Sequence, residues 1–341
     1  RYLEGFFSNY FDHVTISRSS ACHIAGESDG MQVRYGSDLV IEDNYIQDIG
    51  ESGIQLAEAT GIVRHNIIRD GRNSNPSDDS PGIHVRDSVL SPDPGPVSIW
   101  NNEISGYAEG IRLESHANSR IIGNYIHDTT FIGVDVSYTS GGVIVAHNTV
   151  ARTDGDATRT SSGIRIDGIT AAEVTANILL SNERGLYLKN SATVTTNSYN
   201  LYFGNPTPCE GTGCLGSNRI TANPLLDSRG FLSAGSPAIN AAGLSLPAEL
   251  TGWAALTDCQ SADTGNADLG RHQPTCPPSS YQIPLANNQS GVCHGATKLC
   301  TSTGWKEPNY EGFVDSVRPE TSANCDTLDN DCDALTDEQC T

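Results

Sequence analysis

A glycine followed by an apolar residue, one variable residue and a second apolar residue occurs seven times along this chain. The copies are Gly30-Met31-Gln32-Val33, Gly53-Ile54-Gln55-Leu56, Gly82-Ile83-His84-Val85, Gly110-Ile111-Arg112-Leu113, Gly133-Val134-Asp135-Val136, Gly163-Ile164-Arg165-Ile166 and Gly185-Leu186-Tyr187-Leu188. After each comes an asparagine: Asn44, Asn66, Asn102, Asn124, Asn148, Asn177 and Asn197. An Ile or Val stands three residues before each asparagine, and an apolar or aromatic residue two after it. Short alternating strands repeating at a period of about 22 residues indicate a β-solenoid, because one coil cannot bury its own apolar face and a stack of coils can.

Alternation turns one side chain of each strand inward and the next outward. Stacking at ~4.8 Å per coil then builds internal columns of Ile, Val and Leu. The asparagine fits a turn: it tolerates left-handed backbone, and its amide can bond to the same amide one coil away.

This spacing resembles the right-handed parallel β-helix repeats of the pectate-lyase-like superfamily, over roughly Phe11 to Asn200. The stretches "ITANPLLDSRGFLSAGSPAINAAG" and "NADLGRHQ" look like the closing segment of many secreted β-helix proteins. The expectation is an all-β chain: a right-handed parallel β-helix of roughly 8–10 coils over residues 1–273, with its closing segment at about 200–273. A Pro-rich linker at 274–284 and a small, disulfide-rich, loop-dominated module at 285–341 would follow. The resemblance implies lyases, epimerases, hydrolases, adhesins or inert scaffolds alike, so function has to be argued from a site.

Charge narrows the partners. Asp and Glu number 41 against 20 Lys and Arg, a net of -21. That disfavours nucleic acid and anionic membrane surfaces, which need clustered cations, and suits calcium, which seeks oxygen ligands. Cys22 stands alone, while the other nine cysteines fall between Cys209 and Cys340, several in close pairs such as Cys209/Cys214 and Cys293/Cys300. They read as disulfides formed outside the cytoplasm, in an extracellular or cell-surface protein. Cys22 itself reads as a small buried hydrophobe. No apolar run approaches the ~20 residues of a membrane span, and a chain starting at Arg1 is expected to be the mature product of an exported precursor.

The outward positions of the repeated strands supply a candidate site. They read Gln32, Gln55, His84, Arg112, Asp135, Arg165, Tyr187 and, two residues on, Arg34, Ala57, Arg86, Glu114, Ser137, Asp167, Lys189. The His84 strand is flanked by the insertions "DGRNSNPSDDSP" and "DSVLSPDPGPVS", the kind of long loop that walls a cleft. His84 is expected as a base, with Arg86, Arg112 or Arg165 neutralising a uronate carboxylate, in a lyase or C5-epimerase acting on a polysaccharide or other extracellular glycan. A hydrolase would instead use Asp135 and Asp167 as its carboxyl pair. Glu114, Tyr187 and Lys189 complete the expected binding set. The alternative is a non-catalytic structural or adhesive solenoid, contacting other surface-protein subunits, whose Arg/Glu/Asp face is a ladder of cross-coil ion pairs.

The tail ends "CDTLDNDCDALTDEQC". Asp329, Asp331 and Asp333 alternate, and Asp337 falls at the ninth position of a calcium-loop count, although Ala334 and Cys340 replace the glycine and glutamate of an EF-hand. The spacing looks like a thrombospondin type 3 repeat, and more like the DNDCDGxxDE motif of bacterial surface proteins. That resemblance implies calcium held by Asp329, Asp331, Asp333 and Asp337.

Overall fold

The computed structural model describes residues 5–274, apart from 25, 27, 72–79, 88–94, 140, 156–159, 170, 228, 252, 255–262 and 264–265, together with 299–301 and 304–306. The chain divides into two compact units, 1–281 and 282–341. In the second, Leu299–Thr301 pairs antiparallel with Gly304–Lys306. The first is a parallel β-solenoid of three sheets, here called A, B and C, with nine, eight and eight strands. Each coil adds one strand to each sheet. The repeated glycine motifs all lie in sheet A, and their variable residues align across it as Gln32, Gln55, His84, Arg112, Asp135, Arg165 and Tyr187. The all-β expectation holds: among the described residues the single helical turn is the 3-10 segment Ala248–Leu250.

Inside, the columns are dry. Ile54, Ile83, Ile111, Val134, Ile164 and Leu186 from sheet A meet Ile41, Val63, Ile99, Ile121, Val145 and Val174 from sheet B, and Ile46, Ile68, Ile104, Ile126, Val150 and Leu179 from sheet C, all at 0% exposure. Burial of each such side chain is worth about 1.5–3 kcal/mol. The glycine and the apolar residue after the asparagine are two halves of one contact. A Cβ on Gly53 would sit 2.5 Å from Ile68 Cγ2, on Gly82 2.4 Å from Ile104 Cγ2, on Gly110 2.3 Å from Ile126 Cγ2 and on Gly133 2.2 Å from Val150 Cγ1. In these four coils the two motifs recur together because the coil lays its sheet C side chain into the space its glycine leaves, whereas at Gly163 the Asn182 side chain takes that place.

The asparagines form a buried column. Each Nδ2 donates to the Oδ1 of the next, Asn44 to Asn66 at 2.9 Å, Asn66 to Asn102 at 2.9 Å, Asn102 to Asn124 at 3.0 Å, Asn124 to Asn148 at 2.9 Å and Asn148 to Asn177 at 3.1 Å. Two expectations are corrected. The seventh member is Asn200, which accepts from Asn177 Nδ2 at 3.0 Å, while Asn197 pairs with Val174 after a register shift in sheet B and accepts from Asn200. The left-handed backbone falls on the residue before the asparagine, at Asp43, His65, Asn101, Gly123, His147, Ala176 and Tyr199. The asparagine is therefore kept for its amide and not for its backbone.

The described residues among 224–272 pack on the outside of the coils. Leu246 and Leu250 cover Trp100, Ile122 and Ile62 on sheet B, and Glu249 accepts from Arg120 Nε and Nη2 at 2.5 and 3.1 Å. Leu232, Ala238, Ala242, Ala267 and Leu269 pack on Ile178 and Leu201 of sheet C. Arg271 lies over the rings of Tyr125 and Phe231 at 5.1 and 4.5 Å and reaches Glu103 at 3.3 Å. Cys209 is joined to Cys214. Cys22 is also disulfide-bonded, which replaces its reading as a lone buried thiol.

Candidate functional site

Sheet A gathers most of the residues the sequence pointed to, and its strands explain how. Pro81–Arg86, Glu109–Glu114, Ile132–Ser137, Ser162–Asp167 and Arg184–Lys189 lie side by side in register, so that residues distant in sequence stand one rung apart. Arg165 grips Asp135 with two bonds of 2.7 and 2.8 Å, under the ring of Phe131 at 5.4 Å. Asp167 takes Lys189 Nζ at 2.9 Å and Asn190 Nδ2 at 2.7 Å. Arg184 lies over Tyr187 at 4.4 Å and pairs with Glu210 at 2.9 Å. The face is less open than alternation alone implies: Asp135, Ser137, Gln32 and Gln55 are buried.

At the His84 strand the grouping changes. His84 Nε2 lies 3.0 Å from Glu114 Oε2, one rung on, and Arg112 Nη2 lies 3.2 Å from Glu114 Oε1. Burial holds His84 below the ordinary imidazole value, and Arg112 and Arg86 add to this against the opposing pull of Glu114. Burial works the other way on Glu114, but its bonds to His84 and Arg112 outweigh it and keep the carboxyl low. At neutral pH the pair is thus imidazole and carboxylate. A carboxylate only accepts, so Nε2 carries the proton and Nδ1 the lone pair.

One member was missed. Glu109 lies in the same sheet, fully buried, with carboxylate oxygens 3.8 Å from Arg112 Nε and 3.9 Å from Arg165 Nη2. It occupies the slot just before the repeated glycine. That slot holds Asp29 in another coil, where burial first and Glu51 next push the carboxyl up to about 6. Acids in that slot were the available signal. The two insertions beside His84 fall largely on 72–79 and 88–94, outside the described residues, as do Asp329, Asp331, Asp333 and Asp337.

A stacked parallel β-helix with a charged, partly solvent-reached sheet face is the class of protein these features define. Within that class the chain belongs to the NosD family, described as periplasmic copper-binding protein, whose model matches residues 7–229. No curated protein matches the chain. Among solved structures it is similar to the periplasmic alginate epimerase AlgG. Two mutant forms align at 14% and 15% identity, with TM-scores of 0.45 and 0.41, over 61% and 57% of this chain and 49% and 48% of theirs. A third AlgG structure aligns at 16% identity and a TM-score of 0.38, over 57% of this chain and 60% of that one. The chain therefore spans about half the length of the first two. Likeness at this level carries no argument about chemistry.

The family's periplasmic description agrees with a compartment outside the cytoplasm, as read from the cysteines. Among the described residues no helix is long and apolar enough to cross a membrane. Copper stands in the family's description, and the described residues do not fit it: none of their His, Cys, Asp or Glu side chains gather in threes around a common point. The buried His147 and His272 turn ring nitrogens to the Asp268 carbonyl, the Gly270 carbonyl and the Asp263 carboxylate. No chemical step is routed through copper.

Proposed function

We propose that this is an extracytoplasmic β-helix that binds a polysaccharide along sheet A and acts on it by proton abstraction, in the manner of a lyase or an epimerase. The observation that carries the reading is the contrast between faces. Described residues of the 224–272 range, such as Leu232, Ala238, Leu250 and Leu269, plate parts of sheets B and C, while sheet A holds a half-buried His84–Glu114–Arg112 group whose imidazole is neutral. Nδ1 of His84 is the base, and Glu114 fixes its tautomer and offsets the positive charge that protonation places on the imidazole. Arg112 supplies a cation beside the charge that develops on the sugar. Hydrolysis is less well served: it needs two carboxyls free to flank the glycosidic bond, whereas Asp135 is buried under Arg165 and Asp167 is tied to Lys189 and Asn190.

Polymer turnover, read as new unsaturated ends or inverted residues, is the measurement. His84→Ala is expected to lower it by about 10²–10⁴, the range for a general base. The base works deprotonated, so kcat/KM should rise with pH through the lowered pKa of His84. Activity would then be flat around neutrality and fall only below the ordinary imidazole range. Turnover left intact in both His84→Ala and Arg112→Ala sinks the assignment. For the acidic tail the proposal rests on sequence alone: calcium bound by Asp329, Asp331, Asp333 and Asp337 as a stabilising ion. Chelation should lower the first melting transition of the full chain, and an unchanged curve counts against calcium.

A further inference from the structure

One carboxylate of sheet A stands where the stacking of coils does not require a charge. Glu109 fills the slot before the glycine of its coil; the strands on either side place Pro81 and Ile132 there, and the next one Ser162. An apolar side chain is thus accepted at this position, yet Glu109 is fully buried. Burying an ion is costly unless charges of opposite sign compensate it. Glu109 faces two of them: Oε2 lies 3.8 Å from Arg112 Nε, and Oε1 lies 3.9 Å from Arg165 Nη2.

Both distances are too long for hydrogen bonds, so Glu109 acts on the two arginines through its charge. Arg112 turns Nη2 to Glu114 at 3.2 Å, and Glu114 Oε2 meets His84 Nε2 at 3.0 Å. Arg165 turns to Asp135 with its two bonds. Glu109 is the link between these two groups. The contacts run on as His84–Glu114–Arg112–Glu109–Arg165–Asp135 over four neighbouring strands. Three carboxylates against two guanidiniums leave one negative charge in the series, and a proton on His84 cancels it. Were Glu109 neutral, the same proton would create a charge instead.

We infer that Glu109 is a positioning residue for the base: it shares Arg112 with Glu114, and so leaves Glu114 able to draw a proton onto His84. The physical step is a competition. Glu114 has two claimants, the Arg112 guanidinium and the His84 imidazole. Whatever attracts Arg112 elsewhere strengthens the hold of Glu114 on His84. Among the described residues the charged groups facing His84 are Glu114 and Arg112 from the neighbouring strand and Arg86 from its own; Gln55, on the other side, is neutral. Glu109 itself has no exposed surface and touches no substrate. This role rests on the proton-abstraction reading of the site and adds the residue that sets how basic His84 is.

The test titrates the full chain, isotope-labelled at histidine, by NMR, with His84 assigned from the signal lost in His84→Gln. Glu109→Gln keeps the shape and removes the charge. His84 should then bind its proton about threefold to tenfold more weakly, since Arg112 turns wholly to Glu114. The acid limb of kcat/KM should move to lower pH with it. Turnover at saturation should fall about tenfold with KM within about twofold, because the loss is felt by the base and not by substrate binding. Glu109→Asp, with the charge retained, should restore most of both. Arg165→Gln leaves Glu109 to Arg112 alone and should strengthen proton binding at His84, so the link stays testable where Glu109→Gln does not fold. A titration unmoved in Glu109→Gln, or in Arg165→Gln where the first variant does not fold, overturns the role whatever the change in stability. A wild type without turnover, whose His84 titration still shifts in Glu109→Gln, overturns proton abstraction and supports the link.

Discussion

Gly133→Ala is expected to destabilise the solenoid by about 3 kcal/mol, the upper part of the range for overpacking a core. The added methyl would lie 2.2 Å from Val150 Cγ1 and 2.5 Å from the Gly163 carbonyl oxygen of the next coil. Neither neighbour can give way. Val150 is fully buried and its branched side chain has few rotamers, while the Gly163 carbonyl belongs to the adjoining strand. Gly168→Asn is the control: a Cβ there meets open space, and asparagine tolerates the φ of 70°. Urea unfolding of both variants checks the prediction. A Gly133→Ala midpoint equal to that of the control would mean that the glycine slot is not a packing requirement.

Asn124→Ala should cost a similar or larger amount. Asn124 is fully buried; its Oδ1 accepts from Asn102 N at 2.9 Å and Asn102 Nδ2 at 3.0 Å, and its Nδ2 donates to Asn148 Oδ1 and the Ile99 carbonyl. Truncation strands two donors and weakens two acceptors. At about 1–3 kcal/mol for each buried group left unsatisfied, a loss of about 3–5 kcal/mol follows. Position within the column gives an internal check. Asn44, at its near end, accepts from Ser19 N alone at 2.9 Å, so Asn44→Ala should lose roughly half as much. Equal losses at the two positions would argue against a cooperative column.

These two contacts also show how far the sequence could be read. In the first six copies every glycine, apolar and asparagine slot of the repeat is a buried position, because alternation and a fixed period leave few ways to stack coils. Asn197 failed where the period itself changed: the register shift before it moves the seventh rung three residues along, to Asn200, which restores the usual spacing from Asn177. The outward residues of sheet A were legible as a set, but their pairing was not. Sequence order places Arg165 beside Asp135; it does not say that two hydrogen bonds tie the pair. Glu109 escaped because the slot before the glycine is mostly neutral, and Cys22 because a disulfide partner need not lie near in sequence.

The segment 224–272 changes how such a stack comes apart. Coils that touch only their neighbours peel from either end, one rung at a time. Here Glu249, Asp268, Arg271 and the apolar residues around Leu232 and Leu269 fasten to Arg120, to Tyr125 and Glu103, to His147 and Thr149, and to Ile178 and Leu201, several rungs at once. Fraying is thereby traded for all-or-none release, so the rungs that present His84 and Arg86 stay aligned until the whole barrel of coils lets go.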